Sequence, residues 1–172
     1  MVQKLDRAEM GRADRQAELS AMVRLYQRDL DRFDQAVADR LGINRTDLRC
    51  LDILTDEAGG GRRLTPKELA AKSGMSPSAI TTVLDRLERA GYARRVRDDV
   101  NRRRVLVALT PLVAKLAEEI FAPVAAAGQA HVASYSDEQL ELLLGFFARA
   151  HQQRTDQIQA LQQTLDQKEH TR

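Results

Sequence analysis

The stretch that decides the fold is residues 64–110, which read LTPKELAAKSGMSPSAITTVLDRLERAGYARRVRDDVNRRRVLVALT. Its helix-capping signals predict two short helices, because Thr65-Pro66 and Ser76-Pro77 each place a capping side chain ahead of a proline. At the first helical position the missing N–H of proline costs nothing, and its ring presets φ. The helices should therefore begin at these two pairs.

The turn between the two helices contains Gly74, a residue suited to the left-handed conformation that follows a helix end. Ala70 precedes it by four residues and lets the first helix approach the second, and Ile80 follows it by six and fills the angle between them. This spacing is typical of a helix-turn-helix, which presents its second helix to the major groove of DNA. The predicted apolar face of that helix comprises Ile80, Val83, Leu84 and Leu87.

A β-hairpin is predicted directly after the second helix. Residues 92–97 and 104–109 are strand-like and flank the polar loop 98–103. Residues 62–64 are expected to add a short strand to this sheet, which gives the order α–α–β–α–α–β–β. A helix-turn-helix followed by a basic hairpin, or wing, is a winged helix.

The charge distribution distinguishes a DNA-binding unit from an αα-hairpin and β-ribbon with another role. Residues 62–110 carry twelve Lys and Arg against five Asp and Glu, a net charge of +7. The rest of the chain then carries −5, because the total is +2. Positive charge is thus gathered on the segment whose geometry fits DNA, and double-stranded DNA is the predicted partner.

Residues 76–91, with Asp85-Arg86-Leu87-Glu88, resemble the recognition helix of the MarR family of bacterial regulators. The wing loop 98–103 is similar to the family's Asp-Pro-x-Asp-Arg-Arg, and residues 107–110 to its Val-x-Leu-Thr. The resemblance covers residues 41–116. It implies a winged helix-turn-helix transcriptional regulator, by default a repressor.

Two positions depart from the family pattern. Asp99 stands where proline is usual, and Asn101 stands where an aspartate usually steadies the wing arginine. Asn101 still accepts a hydrogen bond but has no charge. By alignment with the family, Arg103 is the wing arginine expected to enter a minor groove, with Arg102 as the second candidate.

The predicted recognition helix supplies the remaining DNA-binding candidates. Its first turns carry short hydroxyl side chains that suit base edges or phosphates, and Arg86 is the long side chain further along. Because hydroxyls discriminate weakly between bases, DNA shape should carry much of the specificity. The candidates on this helix are Ser76, Ser78, Thr81, Thr82 and Arg86.

The chain is predicted to be mainly α-helical, with an N-terminal dimerisation helix (1–43), a winged helix-turn-helix DNA-binding domain (44–110) and C-terminal dimerisation helices (111–172). Apolar residues recur every three or four positions up to Leu41, and Gly42 ends this first helix. Asn44 should cap the second helix and Ser136 the last. Pro123 is expected to kink or interrupt the helix between residues 111 and 129.

Two long terminal helices with apolar seams favour a homodimer, and a palindromic operator requires a two-fold partner. The seam of the last helix comprises Leu140, Leu144, Phe147, His151, Ile158, Leu161 and Leu165. The alternative is a helical hairpin within one chain. A helical protein-interaction scaffold that binds no DNA also remains open.

The MarR resemblance implies control by a small effector, often aromatic or phenolic, bound between the dimer helices and the winged helix. The candidates by position are Tyr26, Phe33, Arg49 and Cys50, each of which has an alternative as a core or surface residue. Cys50 has a second alternative as an oxidant sensor, which requires an accessible thiol of lowered pKa.

Composition and motifs argue against the other classes of function. The chain has 172 residues, one cysteine and no apolar run of the ~20 residues that a membrane helix needs. A reducing cytoplasm is therefore expected. Gly59-Gly60-Gly61 lacks the lysine of a phosphate-binding loop, and His131, His151 and His170 are too scattered for zinc, so we expect no catalytic residues, metal or cofactor.

Overall fold

A computed structural model describes residues 10–170, with side chains as far as residue 164. The chain divides into two compact units, one ending at Glu118 and the other beginning at Glu119. The elements are α1 (Arg12–Leu41), α2 (Arg45–Gly59), α3 (Pro66–Ser73), α4 (Pro77–Arg89), β1 (Ala93–Arg97), β2 (Val105–Leu109), α5 (Pro111–Val132) and α6 (Asp137–His170). The predicted fold class, mainly α with a hairpin wing, is confirmed.

Local sequence signals set the helix boundaries of the first unit. Asn44 accepts a hydrogen bond from the backbone of Asp47 and caps α2. Thr65 caps α3 through the backbone of Glu68, whose carboxylate accepts from the backbone of Thr65 in return. Ser76 caps α4. The predicted helix starts are therefore confirmed.

The core of the first unit lies between α2, the two helices of the helix-turn-helix and the hairpin. The predicted apolar face of α4 is buried, and so is Ala70 of α3. The end of α1 joins this unit, because Val37 and Ala38 are buried and the Tyr92 hydroxyl donates to the carbonyl of Leu41 at 2.8 Å. The core holds α4 with its opposite, polar side exposed.

The predicted strand at residues 62–64 is wrong, because the described sheet has only the two antiparallel strands β1 and β2. One hydrogen bond remains, from the backbone N–H of Val107 to the carbonyl of Leu64 at 2.7 Å. The backbone N–H of Arg62 donates to Glu57 at the end of α2, and that of Thr65 donates to Glu68 in the α3 cap. The backbone on either side of residues 63 and 64 is thus engaged by a helix end, and only Leu64 of the described segment pairs with β2.

The second unit contains the end of α5 and all of α6. α5 continues through Pro123, so the expected interruption is wrong; the alanines that follow are the strongest helix formers. Ser136 and Gln139 cap the start of α6 reciprocally, as predicted. Leu165 and His170 lie outside the described side chains. None of the described helices is long and apolar enough to span a membrane.

Candidate nucleic-acid interface

The exposed side of α4 brings together four predicted DNA-binding residues, all with solvent-exposed side chains. Ser76 Oγ lies 3.0 Å from Ser78 Oγ and accepts from the backbone of Ala79. The hydroxyls of Thr81 and Thr82 donate to backbone carbonyls one turn earlier, at 3.0 and 3.3 Å. Because the helix engages these two protons, the oxygens remain available as acceptors for donors on DNA.

Arg86, the fifth candidate on α4, is bound within the protein. Its Nε donates to Asp47 Oδ2 at 2.9 Å, and its Nη2 donates to Asp47 Oδ1 at 2.5 Å. Asp47 is only 1% exposed, whereas the side chain of Arg86 is 35% exposed. This ion pair joins the first turn of α2 to α4, so the long side chain predicted to contact DNA is held in place by a neighbouring helix.

The wing loop is ordered by its own short polar side chains. Asp98 Oδ1 accepts from the backbone of Val100 at 2.9 Å, and Asn101 Oδ1 accepts from the backbone of Arg103 at 3.2 Å. Asn101 thus shapes the loop through the arginine's backbone. Among the residues that the structure describes, no carboxylate pairs with the exposed guanidinium groups of Arg102 and Arg103.

Two other arginines fasten the base of the wing. Arg95 on β1 pairs with Glu88 and with Asp85 of α4, and its backbone N–H also donates to Glu88. Arg104 donates to both oxygens of Glu68 at 3.1 Å and so joins the wing to α3. The hairpin is therefore held against both helices of the helix-turn-helix.

Glu68 is the most strongly hydrogen-bonded of these carboxylates. The backbone and hydroxyl of Thr65 both donate to it at 2.7 Å, and Arg62 and Arg104 add charged donors. These bonds lower the pKa of Glu68 from 4.5 to about 2, the backbone bond from Thr65 contributing most. Glu68 is therefore ionised at neutral pH and fixes the start of α3.

The ion pairs divide the twelve basic residues of 62–110 into two sets. Five pair with carboxylates inside the unit: Arg62, Lys72, Arg86, Arg95 and Arg104. The other seven are exposed, and no described carboxylate pairs with them: Arg63, Lys67, Arg89, Arg94, Arg97, Arg102 and Arg103. Sequence reasoning singled out only Arg102 and Arg103 of these seven. The two sets cannot be separated by sequence, because the carboxylates that pair with the first set lie up to 39 residues away in the chain.

Of the four predicted effector residues, Arg49 lines a cleft in the described part of the chain, and Tyr26, Phe33 and Cys50 do not belong to the lining of that cleft. This cleft, of about 530 Å³, lies between α1, α2 and the turn before α4, and its lining comprises Asp34, Arg45, Thr46, Leu48, Arg49, Asp52 and Met75. Phe33 is half-buried and directly precedes Asp34, a residue of the cleft. Tyr26 lies earlier in α1 and is 63% exposed. The structure thus does not bring the four together.

Asp52 is the unusual ionisable group of this cleft. Partial desolvation by the surrounding atoms raises its pKa from 3.8 to about 6, and the negative charges of Asp34 and Asp56 act in the same direction. Arg45 on the same wall pairs with Asp31 at 2.8 Å and with Asp34 at 3.5 Å. The cleft therefore combines an apolar floor with a protonatable acid and the guanidinium of Arg49.

Cys50 is fully buried, with its Sγ 3.9 Å from the Sδ of Met75. Burial raises the pKa of the thiol, and the negative charge of Asp47 raises it further. An oxidant sensor needs the opposite on both counts, an accessible thiol and a lowered pKa. The structure supports the interpretation of Cys50 as a small core residue.

Comparison with known proteins agrees with this architecture. Residues 41–104 match the sequence model of the MarR family. The uncharacterized HTH-type transcriptional regulator YcgE of Bacillus subtilis (strain 168) is 36% identical over 131 residues, which span 76% of this chain and 82% of the relative.

Solved structures show the same fold. A MarR family protein from Bacillus stearothermophilus superposes with a TM-score of 0.61 at 25% identity, covering 85% of this chain and 99% of that one. The S. aureus MepR–DNA complex gives a TM-score of 0.57 at 20% identity, covering 76% and 95%. Members of this family are regulators and not enzymes. The chain belongs to the MarR family of DNA-binding transcriptional regulators.

Proposed function

We propose that the chain acts as a homodimer that binds a palindromic operator in double-stranded DNA, represses transcription there and is released by a small aromatic effector. The observation that carries this proposal is the capped start of α4, whose exposed hydroxyl side chains lie in the same unit as seven exposed basic residues that pair with no carboxylate among the described residues. Such a protein would act in the cytoplasm, where bacterial DNA lies.

In the dimer, the two α4 helices enter successive major grooves about 34 Å apart. Ser76, Ser78, Thr81 and Thr82 face base edges and phosphates. The wings extend to the flanking minor grooves, where Arg103 is the principal contact and Arg102 the second. The remaining unpaired basic residues bind backbone phosphates, which give affinity without sequence preference.

The homodimer is supported by apolar side chains exposed on the long helices. Leu144 and Phe147 of α6 are 71% and 62% exposed, and α1 exposes Leu19, Tyr26 and Leu30. Large contiguous apolar surface on a soluble domain marks an interface. Covering it with a second copy also supplies the two-fold symmetry that a palindrome requires.

The effector site that we propose is the cleft between α1 and the turn before α4. Leu48 and Met75 offer apolar contact to a ring, and Arg49 offers a charged donor to its carboxylate or phenolate. Met75 directly precedes Ser76, the cap of α4, so a ligand here shifts α4 relative to α1 and changes the DNA-competent population.

A binding titration across a salt series tests DNA binding. With mixed-sequence duplex DNA, log affinity should fall with log salt concentration by about 0.9 for every phosphate neutralised. A duplex enriched from a random pool should bind more tightly and contain an inverted repeat. A protein-interaction scaffold would show no DNA affinity at low salt, and that result would exclude our proposal.

Benzoate and phenol series titrated into the protein–DNA complex test the effector site. We expect release of wild-type protein by a subset of these compounds, and weaker release for Arg49→Met, which retains side-chain length but loses the donor. If the compounds released both proteins from DNA equally well, Arg49 and this cleft would be excluded as the effector site.

A further inference from the structure

The ion pair between Asp47 and Arg86 leaves part of the guanidinium free. An arginine side chain has five N–H donors, of which Asp47 engages one on Nε and one on Nη2. Among the described residues, none accepts a hydrogen bond from Nη1. The edge formed by Nη1 and the second N–H of Nη2 is a two-donor fork, and the side chain is 35% exposed.

Arg86 lies on the same side of α4 as two of the exposed hydroxyl side chains. Arg86 follows Thr82 by four residues and Ser78 by eight, so the three share one stripe of the helix. The buried face of α4 lies elsewhere. Arg86 therefore stands at the far end of the row of hydroxyls proposed to face DNA.

Asp47 is itself fixed firmly. It is buried in the first turn of α2, where the helix dipole favours a negative charge, and its backbone N–H donates to the Asn44 cap. Its two carboxylate oxygens accept three hydrogen bonds from Arg86. The guanidinium plane is thus set by a rigid element and loses little rotamer freedom when an anion binds.

We propose that Asp47 is a positioning residue for DNA binding, which orients Arg86 so that the free edge of its guanidinium binds a backbone phosphate beside the major groove. The inference rests on the DNA binding proposed above. Planar, two-point contact with phosphate is the geometry for which arginine is suited. Because Asp47 is negatively charged, a simple count of charges would predict that it lowers the affinity for DNA, whereas we propose that it raises this affinity.

The test compares two substitutions that remove one negative charge from α2. Asp47→Asn removes the negative charge that pairs with Arg86. Asp56→Asn, the matched control, removes a negative charge from an exposed position of the same helix. The full-length proteins are titrated with mixed-sequence duplex DNA and with a duplex selected by the wild type, across a salt series. Circular dichroism fixes a temperature at which all variants are folded.

We expect Asp47→Asn to bind both duplexes about 10-fold more weakly, although it is one unit more positive, because a charged hydrogen-bonded contact is lost. Its salt slope should fall by about 1 per protomer. Asp56→Asn should bind as tightly as wild type or more tightly. Equal affinity of the two variants would overturn the proposal and assign the ion pair a purely structural role.

Arg86→Lys provides a second measurement that keeps the charge. A lysine paired with Asp47 has no planar second edge, so we expect a similar loss of affinity, and wild-type affinity would again overturn the proposal. If the wild type bound neither duplex, the proposed function itself would fail. If the wild type bound with a steep salt slope and these variants matched it, only this inference would fail.

Discussion

Glu68 accepts hydrogen bonds from donors on three separate parts of the first unit. The α3 cap at Thr65 supplies two, the segment after α2 supplies Arg62, and the end of the wing supplies Arg104. One carboxylate thereby fixes the start of the helix-turn-helix relative to the wing. Its ionised form is the one that these donors stabilise.

Glu68→Gln should lower the free energy of unfolding by on the order of 1 kcal/mol at pH 7, because the amide keeps the shape but loses the charge. The folded pKa of Glu68, about 2, lies below its ordinary value of 4.5. Its contribution is therefore present above pH 4.5 and is lost as the pH falls toward about 2. Urea unfolding at several pH values should show the two proteins converging in acid; a constant difference would contradict this assignment.

Arg103→Ala should weaken binding to the selected duplex by ~1–3 kcal/mol with little change in the unfolding temperature. The guanidinium is exposed and pairs with no described carboxylate, so DNA is the partner that it would lose. Arg24→Ala removes the same charge from the exposed surface of α1 and serves as the control. Wild-type affinity in Arg103→Ala would exclude this side chain of the wing from the interface.

At the scale of elements, the turn between α3 and α4 determines how the recognition helix is presented. Gly74 has a φ of +71° and follows the end of α3, where its N–H donates to the carbonyl of Ala70. Ile80 and Ala70 are then buried together in the core. The angle between the helices thus depends on one residue in the left-handed region.

Gly74→Ala should destabilise the protein by about 1–2 kcal/mol, because an L side chain is strained at positive φ even though an added Cβ would meet no atom within 4 Å. Gly59→Ala is the matched control: it lies within α2, its added Cβ also meets nothing, and alanine should stabilise the helix there. Thermal unfolding measures both. Similar shifts in the two variants would show that the turn tolerates alanine.

At the scale of the whole molecule, the proposed function requires a homodimer in which a second copy covers the apolar faces of α1 and α6. Both helices expose large apolar side chains, so each is expected to pack against a second copy. Two half-sites bound together gain affinity through effective concentration, which a monomer lacks.

A double substitution, Leu144→Glu with Phe147→Glu, should therefore yield monomers that retain a folded first unit and bind the palindromic duplex more weakly. Sedimentation velocity measures the mass, and a duplex with one half-site checks that the winged helix is intact. Gln153→Glu adds charge to an exposed polar position of the same helix and should remain dimeric. A monomeric wild type would contradict the proposed dimer.

The sequence alone determined the helix starts, the helix-turn-helix, the hairpin and the family, because capping residues, apolar spacing and a basic wing are local patterns. Only the tertiary structure decided which basic residues are available to DNA, since Arg86 meets Asp47 and Arg104 meets Glu68 across 39 and 36 residues of chain. It likewise reduced the expected third strand to one hydrogen bond and buried Cys50. Ion pairing and burial depend on neighbours that the fold brings together, and linear spacing does not encode them.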